Sequence, residues 1–539
     1  MQRRAFLGTA LSTRLLAAGD RPNIVYILAD DLGQGDLLAF NAESQVPMPN
    51  ADRLAREGMR FSDVHSPSSV CTPTRYGILT GRYCWRSTLK NGVLNGRSPA
   101  LIEKGRQTVA AYLKAQGYYT AGFGKWHLGL GTAKQTDYSK PFAPSPLDYG
   151  FDYYFGIPAS LDMEPYLWFE NDKAVEQPTA KTPGADKPRG YFWREGQIAP
   201  HFSIDQCLPT LADKTVDFIR SRKRQKGQPF FLYMPLTGPH TPWVPTGEFK
   251  GKSRAGLYGD FVMQVDAVLG QVMKAIEEIG ETKNTLFIFT SDNGAHWTPE
   301  DKTKFPHRPN GNLKGQKADI ADGGHRIPFL ARWPGKIRPN SLSHELHCLT
   351  DLFATVADVT GGTLGFNTAE DSFSMLPAMM GRKGTRQAIV HGADITFRFV
   401  GKSGRKHTVT VEDRRLARMV AQCQDLPGQR LFVYLDDEGH ARTIDSAQVN
   451  AYLRDITGAD TTAKTFRTWI ATSAASGHLA LDLGTRAGRP TKQSFLRAVD
   501  HAAERLGNTR SVCRNSYVHP AVEQTYLSGA FDDVWRSGP

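Results

Sequence analysis

Four stretches of this chain are predominantly apolar, the first and last of them rich in β-branched residues, and each runs into a polar cluster. Asn23–Ala29 (NIVYILA) leads into Asp30-Asp31. Tyr118–Phe123 leads into Gly124-Lys125-Trp126-His127. Pro229–Leu236 leads into Gly238-Pro239-His240, and Thr285–Thr290 into Ser291-Asp292-Asn293-Gly294. A strand with one wet face alternates apolar and polar residues. A continuous apolar run is buried on both faces, as in a parallel sheet covered by helices. Helical patterns lie between the runs: Asn50–Glu57, Thr108–Gln116 and Asp260–Ile279. Gly58 and Gly117 follow the first two, where a left-handed C-cap is expected. Strands alternating with helices predict an α/β sandwich. In open α/β sheets ligands bind beyond the carboxyl ends of the strands. The carboxylates, amide, lysine and histidines are therefore predicted to meet at one edge.

At 539 residues the chain is too long for one ordinary core, which predicts two or more domains. Hydrophobic content of 40% with 22% charged residues excludes a disordered chain. The net charge of +12 suits anionic ligands without choosing among them. Six cysteines with no CxxC spacing point away from a disulfide framework, though one or two bridges stay open. Met1-Gln2-Arg3-Arg4-Ala5-Phe6-Leu7 resembles a twin-arginine export signal, with Arg14 interrupting a short apolar stretch. Residues 1–20 are accordingly expected to direct export, with an unprocessed cytoplasmic start as the alternative. No segment is long and apolar enough to span a membrane. Residues 170–200, rich in Pro, Lys and Gly, read as a surface insertion.

Asp30, Asp31, Asp292 and Asn293 are hard oxygen donors, which favours calcium or magnesium over zinc or copper. A single aspartate at a strand end more often caps a turn. An adjacent pair joined by Asp-Asn-Gly, each after a buried strand, points to a metal. Between them lies Ser69-Val-Cys71-Thr-Pro-Thr-Arg75-Tyr-Gly-Ile-Leu-Thr-Gly81-Arg82. CxPxR followed by Leu-Thr-Gly-Arg resembles the sulfatase signature, in which the cysteine is oxidised to formylglycine. Further matches are Gly124-Lys125-Trp-His127-Leu-Gly, Gly150-Phe-Asp with Ser160, Gly238-Pro-His240, and Lys317 with Asp322-Gly-Gly324-His-Arg326-Ile-Pro328. The resemblance covers about residues 20–390. It implies an alkaline-phosphatase-like α/β sandwich with a mixed central sheet. It also implies that Asp30, Asp31, Asp292 and Asn293, with residue 71, hold calcium. Arg75 and Lys125 would steady the formylglycine hydrate and the sulfate, and His127 would assist the hydrate. His240 and Lys317 would contact the substrate sulfate, with His240 protonating the leaving oxygen. Ser160 matches a weaker substrate-binding position. Asp322 stands where glutamate is commoner. The implied partners are an aryl or carbohydrate sulfate ester and a formylglycine-generating enzyme. A phosphodiesterase or phosphonate hydrolase of the same superfamily is the nearest rival.

After residue 391 the texture changes to one alternating hairpin, Ile395–Val411, then amphipathic helices at Arg414–Cys423, Ser446–Ile456, Thr462–Ala475 and Lys492–Leu506. Lys402 lies on the hairpin, followed by Ala463-Lys-Thr-Phe-Arg467-Thr-Trp469 and Arg505-Leu-Gly-Asn508-Thr-Arg-Ser-Val-Cys-Arg-Asn-Ser-Tyr517. These resemble the catalytic half of a bacterial type IB DNA topoisomerase, a relative of tyrosine recombinases, over about residues 392–528. The resemblance implies a mainly helical domain with a β-hairpin that binds DNA. Tyr517 would attack a DNA phosphate, Arg467 stabilise the developing charge and Lys402 protonate the leaving 5′-oxygen. Asn508 takes the position of a histidine that is common in relatives. The expected layout is a signal at 1–20, a sulfatase domain at 21–391 lacking its usual C-terminal subdomain, and a partial topoisomerase domain at 392–539. An exported sulfatase and a cytoplasmic topoisomerase disagree over compartment, so the join near Val390–Asp394 reads as two genes fused by rearrangement or assembly. The alternative class is a DNA-binding protein with an inactive sulfatase part. A plain cysteine lacks the second hydroxyl that releases sulfate, so Cys71→Ala is expected to abolish aryl sulfate hydrolysis even with a maturation enzyme supplied. Release of aryl alcohol at the wild-type rate would refute this.

Overall fold

The computed structural model describes residues 21–225, 227–365, 367–382, 388–391, 394–400, 406–412, 433–435, 441–443, 446–457, 459–485, 490–506 and 508–537. The expected export signal, the expected helix Arg414–Cys423 and Lys402 lie outside the described residues. Among those described, residues up to Thr396 belong to one compact unit and residues from Val433 onward to a second. The second unit also takes in Phe397–Val400 and Lys406–Val409.

The first unit is organised by a ten-stranded mixed sheet. Its centre is parallel: β1 (Asn23–Asp30) lies between Phe230–Pro239 and Thr285–Ser291, and Tyr119–Lys125 and Tyr153–Ile157 follow on one side. Short strands at the margins, several of them antiparallel, complete it. Every residue of β1, Phe230–Pro239 and Thr285–Ser291 is buried, as continuous apolar runs require. All four expected strands form, and each runs one to three residues further towards its carboxyl end than its apolar run. The extra residues stay extended because pairing continues through them: Lys125 pairs with Ile157, and Asp30 with Pro239. Gly124 makes this possible. Its φ of 144° and a site where a Cβ would sit 1.8 Å from the Pro235 oxygen suit only glycine.

The expected helices form at Pro49–Glu57, Val109–Ala115 and Gly256–Glu278. Thr108 caps the second by accepting from Ala111 N at 3.1 Å, and Gly117 beyond it has φ 87° as expected. Met48 offers no side-chain cap to the first. Asp266 of the long helix replaces it, accepting from the backbone of Asn50 at 3.0 Å and Ala51 at 2.8 Å. Gly58 departs from expectation: its φ is −132°, not left-handed. Glycine is needed there because a Cβ would lie 2.3 Å from the Ala331 oxygen.

Residues 170–200 are only partly a surface insertion. Phe169–Glu170 and Lys173–Ala174 close one edge of the main sheet, and Ala180–Thr182 pairs with Gly196–Ile198. Arg189 binds buried Asp301 at 2.6 Å and sits 4.8 Å over the Trp243 ring. Cys71, Cys84, Cys207, Cys348 and Cys513 are all buried, and no disulfide joins them. Among the described residues no helix is long and apolar enough to cross a membrane.

The second unit is mainly helical: Ser446–Thr457, Ala463–Thr485, Lys492–Leu506, Arg510–Ser516, Pro520–Ser528 and Phe531–Arg536. The strands Asp394–Val400 and Lys406–Glu412 are sheet neighbours where the hairpin was expected. The helix expected to stop at Ala475 continues to Thr485, because Gly477 is tolerated inside it and Leu479 carries the apolar face into the core with Ala471, Ala475 and Phe495.

Candidate functional site

The central strands deliver their polar ends to one place. Pairing between β1 and Phe230–Pro239 shifts register between Leu28 and Asp30, an irregularity of the kind that re-aims side chains near sites. Asp31 then takes φ 67°, a left-handed conformation that L-residues with a Cβ rarely adopt. His127 (φ 55°) and Ala318, next to Lys317 (φ 69°), share it. Strained backbone at three points around one cluster is the pattern of a functional site.

Cys71 is the first residue of the helix Cys71–Thr80, which ends on left-handed Gly81. Its side chain is buried at the positive end of the helix dipole. The CxPxR spacing places Arg75 one turn on, on the same helix face. Pro73 falls in the first turn, where its missing N–H costs nothing. Cys71 Sγ lies 3.6 Å from Asp30 Oδ1. Burial pushes the thiol up to about 12, so an unmodified Cys71 holds its proton at neutral pH and is a poor nucleophile.

Three carboxylates and three cations are interleaved around it. Lys125 Nζ meets Asp30 Oδ2 at 2.6 Å, Arg75 grips Asp292 Oδ2 at 2.8 and 3.1 Å, and Lys317 Nζ meets Asp31 Oδ2 at 2.7 Å. Arg75 also donates to the Lys125 carbonyl at 2.9 Å, tying the cysteine helix to the strand Tyr119–Lys125. Burial opposes ionisation of Asp30, but Lys125, His240 and Arg75 outweigh it and hold the carboxyl well below its usual range. The same contest lowers Asp31, with Lys317 the main counter-charge, and Asp31 raises Lys317 in return. Asp292 loses it: burial and the nearby Asp30 charge push it up to about 6 despite Arg75. Asn293 Nδ2 donates to Asp31 Oδ1 at 2.6 Å, while its Oδ1 is buried without a hydrogen-bond partner.

The histidines have defined tautomers. His127 Nε2 lies 2.7 Å from the Leu94 carbonyl, so it carries the proton, and Nδ1 is buried without a partner. Burial, then Lys125, lowers this ring well below its ordinary value, so it is neutral. His240 Nδ1 donates to its neighbour Thr241 O at 2.6 Å, leaving Nε2 3.8 Å from Asp31 Oδ2. Asp30, Asp31, Cys71 and His240 thus lie within metal-ligand reach of one another. Ser160 is buried, its hydroxyl has no hydrogen-bond partner, and no contact among the described residues ties it to this cluster. Asp322 is exposed and lies instead beside His65 and His325. Ser291 has a role that its motif does not announce. Its Oγ accepts from Leu32 N and donates to Asn293 O, both at 2.9 Å, fixing the turn that carries the acidic residues.

In the second unit Arg467 lies with its guanidinium 4.9 Å over the Tyr517 ring and donates to Leu506 O at 3.3 Å. Asn508 follows shortly after and buries an Nδ2 without a hydrogen-bond partner. The structure brings Arg467 and Tyr517 together; Lys402 is outside the described residues.

Residues 22–362 match the family model for sulfatases. The chain belongs to the sulfatase family. Its first unit is thus that of a sulfuric ester hydrolase. N-acetylgalactosamine-6-O-sulfatase of Bacteroides thetaiotaomicron is 34% identical over 407 residues, covering 69% of this chain and 78% of the relative. Arylsulfatase A of Homo sapiens is 35% identical over 381 residues, covering 69% and 71%. A solved Bacteroides thetaiotaomicron structure from work on the metabolism of multiple glycosaminoglycans matches with TM-score 0.64 and 30% identity over 73% of this chain and 93% of that one. A phosphonate monoester hydrolase of Agrobacterium radiobacter, at TM-score 0.50 and 18% identity over 79% of this chain and all of that one, shares the fold. The expected alkaline-phosphatase-like sandwich with a mixed sheet is therefore present. Residues 383–528 match the family model for the catalytic core of eukaryotic DNA topoisomerase I.

The raised Asp292 has a measurable consequence. Its folded value of about 6 lies above the ordinary aspartate value of 3.8, so between those limits the folded sulfatase binds the proton that the unfolded chain has released. This group therefore subtracts stability as pH rises through the window. In calcium-free buffer, the unfolding free energy of wild type relative to D292N is expected to fall between about pH 4 and 6. A flat or rising difference in denaturant titrations would count against the assignment.

Proposed function

We propose that this sulfatase hydrolyses a carbohydrate sulfate ester, using a formylglycine made from Cys71 and a calcium ion held by Asp30, Asp31, Asp292 and Asn293. The observation that carries the reading is the buried cluster of carboxylates and cations at the first turn of the cysteine helix. The residues fit such an ion. They are hard oxygen donors, Asn293 Oδ1 lacks any hydrogen-bond partner, and burial with the nearby Asp30 charge pushes Asp292 up, a shift that a bound cation would relieve. The names of the relatives, N-acetylgalactosamine-6-O-sulfatase among them, support a sulfated sugar as substrate.

Calcium held by Asp30, Asp31, Asp292 and Asn293 would offset the ester's charge, and a formylglycine hydrate at residue 71 would supply the two hydroxyls that the hydrolysis needs. The chain's own residues do the rest. Lys125, Lys317 and Arg75 are positioned to offset the negative charge that otherwise repels the nucleophile. Neutral His127, with its proton fixed on Nε2 by the Leu94 carbonyl, offers Nδ1 as a base. His240, held by Thr241 O through Nδ1, turns Nε2 into the site to deliver a proton to the leaving oxygen. The buried thiol, up to about 12, supports conversion of Cys71 rather than direct use of its thiolate.

Residues 392–539 support a second reading, a partial type IB topoisomerase domain, on the stacking of Arg467 over Tyr517. The sequence upstream of the hairpin carries sulfatase motifs and no matching second catalytic arginine.

If His240 is the general acid, H240A should lower kcat on a sugar 6-sulfate by about 10²–10⁴-fold, and far less on an aryl sulfate whose phenolate leaves unaided. Equal losses on both would remove His240 from that role. The intact chain should not relax supercoiled plasmid DNA; efficient relaxation abolished by Tyr517→Phe would contradict the partial-domain reading.

A further inference from the structure

A second cluster lies outside the sulfate site. His65 ends the short strand Val64–His65, shortly before Cys71 in the chain, and His325 ends the short helix Asp322–His325, shortly after Lys317. The Nδ1 atoms of the two rings lie 2.9 Å apart. Both outer nitrogens are already committed. His65 Nε2 lies 3.0 Å from Asp63 Oδ1, and His325 Nε2 lies 2.9 Å from the Ile320 carbonyl oxygen. Carboxylate and carbonyl oxygens only accept, so each outer nitrogen carries its ring's N–H. In two neutral rings both Nδ1 atoms then turn bare lone pairs on each other. That contact is repulsive unless something positive sits between the rings, either a proton or a metal ion.

The surroundings favour the metal. Both rings are buried, and the exposed Asp322 carboxylate brings a third donor, all three ligand atoms lying within 4.8 Å of one another. An imidazole that donates its outer N–H to a carboxylate or backbone carbonyl has the arrangement typical of metal-bound histidines. Burial and the adjacent His65 also push the His325 ring down to about 4, which weakens the shared-proton alternative at neutral pH. Arg326 opposes a cation, with Nη1 3.5 Å from Asp322 Oδ2 and Nη2 3.7 Å from Asp63 Oδ1. The two carboxylates it faces offset its charge. Imidazole nitrogens with one carboxylate suit zinc and its neighbours, unlike the hard oxygen set at Asp30.

We propose that His65, His325 and Asp322 form a second metal site, for a zinc-class divalent ion, which clasps the segment before Cys71 to the segment after Lys317. Two backbone hydrogen bonds already lace these segments, Ser66 N to His325 O at 2.7 Å and Ala318 N to Ser69 O at 3.0 Å. The ion would hold them by their side chains as well, fixing the distance between the nucleophile and the sulfate-binding lysine.

Cobalt(II) added to the full chain in saturating calcium tests this, because its spectrum reports its ligands. One equivalent is expected to give visible d–d absorption with no sulfur-to-cobalt charge-transfer band. The absorption should persist in C71A, disappear in H325Q and need at least ~10-fold more cobalt in D322N, whose exposed side chain can change without disturbing the fold. A sulfur charge-transfer band lost in C71A would place the ion at the Asp30 cluster and overturn the proposal. So would unchanged affinity in D322N, or no bound cobalt, which would mean that the rings share a proton.

Discussion

Three carboxylates converge where the central strands of the sheet end, and their burial is the constraint around which the first unit is arranged. Ionised carboxylates out of water are costly unless matched. The match is made by Arg75 on the cysteine helix, Lys125 at the end of its strand and Lys317 on a later loop. Because each cation comes from a different element, the pairing also sets where those elements sit. Arg75 bridges Asp292 and the Lys125 carbonyl, so the helix presenting Cys71 is locked to two strands at once. The charges balance without a ligand. A calcium ion would add two positive charges and a sulfate monoester return one negative charge, leaving one net positive charge that favours holding the anion.

Much of this was legible in the sequence because the physics is local. Continuous apolar runs can only be strands buried on both faces, and the polar residue after each run must emerge at a sheet edge. Cys71 and Arg75, four apart on a helix, share a face by geometry alone. The family resemblance then supplied roles that no spacing could. What stayed hidden depended on partners distant in the chain. Asp266 capping the helix Pro49–Glu57 joins residues more than two hundred apart, and nothing near Met48 announces it. Gly58 was read from its helix, yet it answers to the Ala331 carbonyl of another strand. The segment 170–200 looked like solvent-facing loop because Pro and Lys dominate it. Arg189 nonetheless reaches buried Asp301 and covers Trp243. Likewise, the motif marks Asp322 only as an aspartate where glutamate is commoner, and the fold alone sets it beside two histidines.

The key residues of the two units lie in opposite environments. The sulfatase cluster is largely shut off from water: Lys125, Arg75 and the three carboxylates are buried, Lys317 is partly buried, and burial keeps His127 neutral. Tyr517 of the second unit is half-buried and Arg467 is exposed. The first has its full complement of charged groups among the described residues. The second has the stacked Arg467–Tyr517 pair and Asn508 among the described residues, while Lys402 lies outside them and no second catalytic arginine is found in the sequence upstream.

The account turns on what residue 71 becomes. The most direct measurement is mass spectrometry of the peptide containing residue 71, from chain produced with graded amounts of a formylglycine-generating enzyme, paired with sulfate release by the same samples. The account predicts that sulfate release rises in proportion to the fraction of residue 71 carrying the aldehyde and vanishes where only the thiol is found. Full sulfate release from chain that carries only the thiol would contradict it.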